Sequence, residues 1–282
     1  MGMALPEDPA ARDAYVLQCI REGKFEQDWM PLTHMEGENT ITLYVMVDAL
    51  KVDGVRVSVT AELAQQIADM TGALLLTPKV ADLIYHYSAF KPGPQPGECT
   101  NTLARVKAHS KAVDAALARY TTYDPTTNPI VGCVGKHWVL SDTLPGKFSY
   151  GFPQAENYGW HFQGGTTYQG IKGYPCVSGL KDPSTGLVYY VIQDDADAHN
   201  MKHGDYSQDL VLMQELCDVN GEQRLVVEVL ADPVLAHLIS HTGVLRTTRQ
   251  PGVPVPNPKV LYLPAIVITA STIPPTMPEG TA

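Results

Sequence analysis

The chain is poor in several features that would place it quickly. No run approaches the ~20 consecutive apolar residues that a membrane-crossing helix needs. Met1 to Asp8 carries no basic start followed by an apolar core, so a secretory signal is not expected. Myristoylation at Gly2 is disfavoured because Pro6 stands where the motif wants Ser or Thr. The expected location is therefore cytoplasmic, or outside the cell by release without a signal peptide, as in lysis or packaging in a particle. Positive charge is scarce too. The net charge of −10 argues against nucleic acid and anionic membrane as general partners. The five cysteines (Cys19, Cys99, Cys133, Cys176, Cys217) are odd in number and never spaced Cys-x-x-Cys. That pattern speaks against a zinc knuckle and a disulfide framework, and buried small hydrophobes are the expected role for most of them.

Proline and glycine, by contrast, are plentiful, and local signals punctuate the chain. Asp8-Pro9 predicts a helix N-terminus, with Ala11, Tyr15, Val16, Cys19 and Ile20 on one face. Thr40 to Val47 and Val55 to Val59 read as strands joined through an Asp53-Gly54 turn. Thr60 caps a helix carrying Leu63, Ile67 and Met70, closed by Gly72, and Thr77-Pro78 opens another. Lys91 to Gly97 (Lys-Pro-Gly-Pro-Gln-Pro-Gly) fits neither helix nor central strand and is taken as a connector. A helix over 102–120 follows, and its Arg105, Lys107, Lys111 and Arg119 read as a solvated face.

Beyond the polar loop at 124–129, short strands are expected at 131–140, 147–151, 158–162, 188–193 and 205–213. Val219 to Glu222 reads as a turn, Asp232-Pro233 as the start of a short helix, and Val260 to Ala270 as strand-like. Helices and a hairpin first, then mainly antiparallel strands, predict an α+β fold. The expected division is an N-terminal helix and hairpin subdomain over 1–98, then a mainly β subdomain over 99–282 with a proline-rich tail.

Chemistry concentrates in Asp194 to Ser207, which holds four carboxylates, two imidazoles and one ammonium. On an extended segment, Asp195, Asp197 and His199 would share a face. On a helical turn, His199 and His203 would share one at a spacing used for metal ligands, although the His-Glu-x-x-His pattern is absent. Asp205 orienting His199 would leave its other ring nitrogen as a base. Tyr158-Gly159-Trp160-His161 suggests a bulge or close backbone approach at Gly159, with His161 opposite Trp160. Lys136 and His137 open a buried-looking strand, where Lys136 could stabilise an oxyanion. Cys133 with His161 or His199 is a weaker nucleophile pairing. Gly164 to Gly170 is no phosphate loop, because it lacks Gly-Lys-Ser/Thr.

Thr77-Pro78-Lys79 with Asp82-Leu83-Ile84, then Tyr158-Gly159-Trp160-His161, His199, Asp205-Tyr206-Ser207 and Leu230-Ala231-Asp232-Pro233 resemble landmarks of a family of uncharacterised bacterial proteins. The resemblance spans Leu63 to Gly243 and implies no activity, since the family has none assigned. Gln208 and Asp209 stand where the pattern has His-Gly, so the resemblance also implies an altered or inactive member if that His is catalytic.

Two function classes follow. The leading expectation is a hydrolase of an amide or glycosidic bond, in cell-wall material, using His199, Asp205, His161 and Lys136 in one polar cleft. No cofactor is expected, with a divalent metal on His199, His203 and Asp205 as the alternative. The rival is a structural or adaptor subunit, a homo-oligomer or part of a larger assembly such as a phage tail or injection particle. A carbohydrate-binding module stacking sugars on Trp138 and Trp160 requires those rings to be exposed.

Overall fold

The computed structural model describes residues 4–122, 130–132 and 134–256, except the side chains of residues 197 and 198. The expected features at 124–129, Cys133 and 260–270 lie outside the described residues, as does the Asp197 side chain. The chain folds as α+β, beginning with helix α1 (Pro9–Arg21), whose N-terminus Asp8 caps by accepting the Ala11 N–H at 2.8 Å. Strands β1 (Trp29–Glu36) and β2 (Asn39–Met46) then form a hairpin. This corrects the expected pairing of 40–47 with 55–59. The strand at 29–36 was hidden by Pro31, which β1 tolerates because it lies at the edge of its sheet. The Asp53-Gly54 turn instead closes a minimal hairpin of β3 (Lys51–Val52) and β4 (Val55–Arg56). Its φ angles of 52° and 71° are those a two-residue type I′ turn requires.

Thr60 and Thr77 cap α2 (Ala61–Thr71) and α3 (Pro78–Tyr87), with β5 (Ala73–Leu75) between them. After the connector comes α4 (Leu103–Leu117). The connector is pinned, not loose: the Gly97 N–H donates to the Tyr206 hydroxyl at 2.6 Å. The β-rich half contributes β6 (Lys136–Val139), β7 (Phe148–Ser149), β8 (Phe152–Phe162), β9 (Thr167–Tyr168), β10 (Ile171–Lys172) and β11 (Tyr174–Pro175). It ends with β12 (Tyr190–Asn200), β13 (Leu212–Val219), β14 (Glu222–Leu225) and α5 (Val226–Ala231). Asp232-Pro233 follows α5 instead of starting a helix, and among the described residues only a single 3-10 turn, Ala236–Leu238, comes after it. Pro233 cannot continue the α5 hydrogen-bond ladder.

Two antiparallel sheets carry the architecture. One has the order β1-β2-β13-β14, with β5 also on β13; the other runs β11-β12-β8-β6, with β7 on β8. Hydrogen bonding thus crosses the expected boundary near residue 98, because β13 from the second half pairs with β2 from the first. In β2, Ile41, Leu43 and Val45 alternate inward and are fully buried, each contributing on the order of 1.5–3 kcal/mol. The sheets meet where the Leu140 N–H donates to the Leu76 carbonyl at 2.8 Å. Among the described residues no helix is long and apolar enough to cross a membrane.

Candidate functional site

Strand β6 and the loop 204–209 build the first polar cluster. The Lys136 N–H donates to the Ser207 carbonyl at 2.7 Å, drawing that loop onto the start of the strand. Gly135 permits the approach, since a Cβ there would stand 2.6 Å from the Ser207 carbonyl oxygen. Gly135→Ala should therefore push the loop off β6 and lower stability by about 1–3 kcal/mol, the usual cost of a forced clash in a packed site. Urea denaturation measures that loss, and an unchanged midpoint would mean that the loop is not held as described.

The side chains follow from this backbone. Lys136 Nζ sits 3.1 Å from Asp205 Oδ2 and 5.8 Å from the centre of the Trp160 ring. Asp205 Oδ1 accepts the Ser207 N–H at 2.8 Å and the Ser207 hydroxyl at 2.6 Å. Gln208 accepts the Asp205 N–H with its side-chain oxygen, so it braces the loop. Burial alone would raise the Asp205 carboxyl, but His203, Lys136 and Ser207 outweigh it and hold the group far below the usual carboxylate range. Asp205 is thus ionised at neutral pH.

Two imidazoles complete the cluster. His203 Nε2 lies 3.8 Å from Asp205 Oδ2, within ion-pair reach but longer than a hydrogen bond. The His203 ring stacks on His199 with centroids 4.1 Å apart, and both rings present edges to Trp138. His203 rather than His199 is therefore the imidazole on Asp205. Burial, followed by the charges of His203 and Lys136, lowers His199 to about 4, which keeps it neutral. His203 is more open than the ion pair, with 36% of its side chain exposed against 10% for Lys136 and 8% for Asp205.

His161 belongs elsewhere, which corrects the expected four-residue convergence. Positive φ at two successive residues, Gly159 (125°) and Trp160 (63°), interrupts the alternation of β8. Tyr158 and His161, three apart, consequently share a face. The Tyr158 hydroxyl donates to Asp82 Oδ1 at 2.8 Å, and His161 Nε2 lies at the same distance from that oxygen. Trp160 turns to the other face, above Lys136. The two clusters thus occupy opposite faces of the β6–β8 pair. Nothing in the sequence marked Asp82 as a site residue, because its partners lie 76 and 79 positions away.

Two further expectations are corrected. The parallel rings of His199 and His203 turn faces, not nitrogens, toward each other. Among the described residues the ligand atoms of three metal-binding side chains draw within 4.8 Å only at Asp82, His161 and Cys176. Trp138 and Trp160 are buried at 1% and 5% exposure, so neither offers a sugar-stacking platform.

The acidic run meets a third partner set. Strand β12 carries Asp195 and His199 on extended backbone, but register shifts on either side of Ala196 break the period of two. Asp195 Oδ2 pairs with His241 Nε2 at 3.2 Å, and Asp195 also faces Glu156. Burial, and then the hydrogen bond with Asp195 and its charge, push Glu156 up to about 8. Folded Glu156 keeps its proton between its ordinary range and pH 8 while the unfolded chain has lost it, so this group's contribution falls as pH rises through that window. Glu156→Gln should remove the penalty. Its stability relative to wild type should rise by a few kcal/mol at most between pH 5 and pH 8.5, read from urea midpoints. A difference that stays flat with pH would refute the buried proton.

Comparison with family models, with curated proteins and with solved structures returned no match.

Proposed function

We propose that the chain is a hydrolase cleaving an amide or glycosidic bond, in cell-wall material, at the cleft of Lys136, Asp205, His203 and His199. The observation that carries this reading is the Lys136–Asp205 ion pair, 3.1 Å long and nearly buried, under a more open imidazole. His203 takes the proton of the attacking water, and the ionised Asp205 beside it stabilises the imidazolium that forms. Neutral His199 stacks on the base and limits its motion. The Lys136 ammonium faces the oxyanion or leaving oxygen as charge develops. His161 has no part in this cleft. Lysis or carriage in a particle would bring the enzyme to the wall. The test is incubation with purified peptidoglycan. New reducing ends would identify glycosidic cleavage, new amino groups amide cleavage, and neither product would overturn the proposal.

A second reading, a structural or adaptor subunit of a larger assembly, draws on one observation. The β7–β8 hairpin displays Phe148, Tyr150 and Phe152 at 65%, 91% and 42% exposure, a cluster of the kind that marks contact surfaces. Light scattering after size exclusion decides it: a monomer at all concentrations counts against assembly.

A further inference from the structure

We propose that Asp82, His161 and Cys176 supply three ligands of a buried site for one zinc-class dication, with a water in the fourth tetrahedral position. The three donors come from separate elements: Asp82 from α3, His161 from β8, and Cys176 from the residue after β11. One oxygen, one nitrogen and one sulfur lie within 4.8 Å of one another, and all three residues are buried at 0%, 2% and 4% exposure. Buried acids, imidazoles and thiols rarely gather without a charge to share. A thiolate, an imidazole and a carboxylate make a borderline-soft set that suits zinc or cobalt and does not suit magnesium or calcium, which take oxygen donors.

The shell around these donors is already ordered. Asp82 Oδ2 accepts the Ser178 N–H at 2.9 Å, while its Oδ1 accepts the Tyr158 hydroxyl. The Cys176 N–H donates to the Tyr189 carbonyl at 3.0 Å, fixing the backbone that carries the thiol. His161 stacks on Tyr85 with ring centroids 4.9 Å apart. Such outer contacts orient ligands before a metal arrives. His161 Nε2 and Asp82 Oδ1 are 2.8 Å apart, and a tetrahedral ion with bonds of about 2.0–2.1 Å needs about 3.3 Å between them. Small side-chain rotations open that gap. On binding, the sulfur–metal bond forms as the thiol proton leaves to solvent, and no electron transfer is involved.

A bound ion would staple α3 to the β11-β12-β8-β6 sheet, so its binding free energy adds to folding. The site lies on the sheet face opposite Lys136 and stands or falls independently of the hydrolase reading.

The test uses the whole chain, stripped with a chelator and titrated with cobalt(II). One equivalent should produce a thiolate-to-cobalt charge-transfer band with tetrahedral visible bands. Zinc should bleach them, and magnesium and calcium should not. Zinc should also raise the melting temperature of the stripped protein. Cys176→Ser should abolish the charge-transfer band and weaken zinc binding at least tenfold, whereas Cys99→Ser and Cys217→Ser should keep both. No band in wild type, or a band that survives in Cys176→Ser, overturns the site. If Cys176→Ser fails to fold, X-ray absorption at the zinc edge of wild type decides: one sulfur among the ligands supports the site, and none refutes it.

Discussion

Asp205→Asn is expected to lower turnover on wall material by about 10²–10⁴-fold, the range supplied by a positioned acid–base group. The substitution is nearly isosteric, and an asparagine oxygen can still accept the Ser207 N–H and hydroxyl that Asp205 Oδ1 now accepts. What disappears is the negative charge between Lys136 and His203. Without it, an imidazolium at His203 forms beside the Lys136 ammonium with no counter-charge from Asp205. Initial rates on peptidoglycan measure the effect, with a melting curve to confirm folding. Retained turnover in a folded Asp205→Asn protein would remove this carboxylate from the mechanism.

The largest loss of stability is expected at Arg56. Its guanidinium is fully buried and binds two carboxylates: Nε and Nη2 donate to Asp48 at 2.9 and 2.5 Å, and Nη1 donates to Asp114 at 2.6 Å. Nη1 also donates to the Ser110 carbonyl at 3.2 Å, so the one side chain ties β4 to α4 and to the chain after β2. Arg56→Leu fills much of the space but leaves the largely buried Asp48 with the Lys51 ammonium, 3.1 Å away, in place of the bidentate guanidinium. Removing one partner of such a pair typically costs about 3–5 kcal/mol. The loss should appear as a lower urea midpoint. A change below about 1 kcal/mol would mean that Lys51 alone balances Asp48 or that Asp48 takes up a proton.

The parts of this fold that were legible from the sequence are those fixed by neighbours in the chain. The caps at Asp8, Thr60 and Thr77 each act on a backbone N–H three residues on, so sequence proximity suffices to find them. Asp53-Gly54 and Asn220-Gly221 specify their turns through positive φ in the same way. Strand β1 was not legible, because Pro31 argues against a strand until its edge position is known. Nor was the sharing of one sheet by β2 and β13, which depends on residues about 170 positions apart.

The candidate site divides along the same line. Lys136 stood out at the start of an apolar strand and Asp205 within the charged run 194–207, and the structure brings them together. The role of His203 beside Asp205 depended on how the turn after β12 folds, which sequence spacing does not set. Periodicity also placed His161 opposite Trp160 without revealing that Gly159 and Trp160 would turn it toward Asp82.

His203→Ala is the decisive variant, because His203 is more open than Lys136 and Asp205 and its removal should leave folding intact. Its melting temperature should stay within a few degrees of wild type, while turnover on peptidoglycan falls by about 10²-fold or more and recovers in part with added imidazole. Full turnover in a folded His203→Ala protein would contradict the role of His203 as the base.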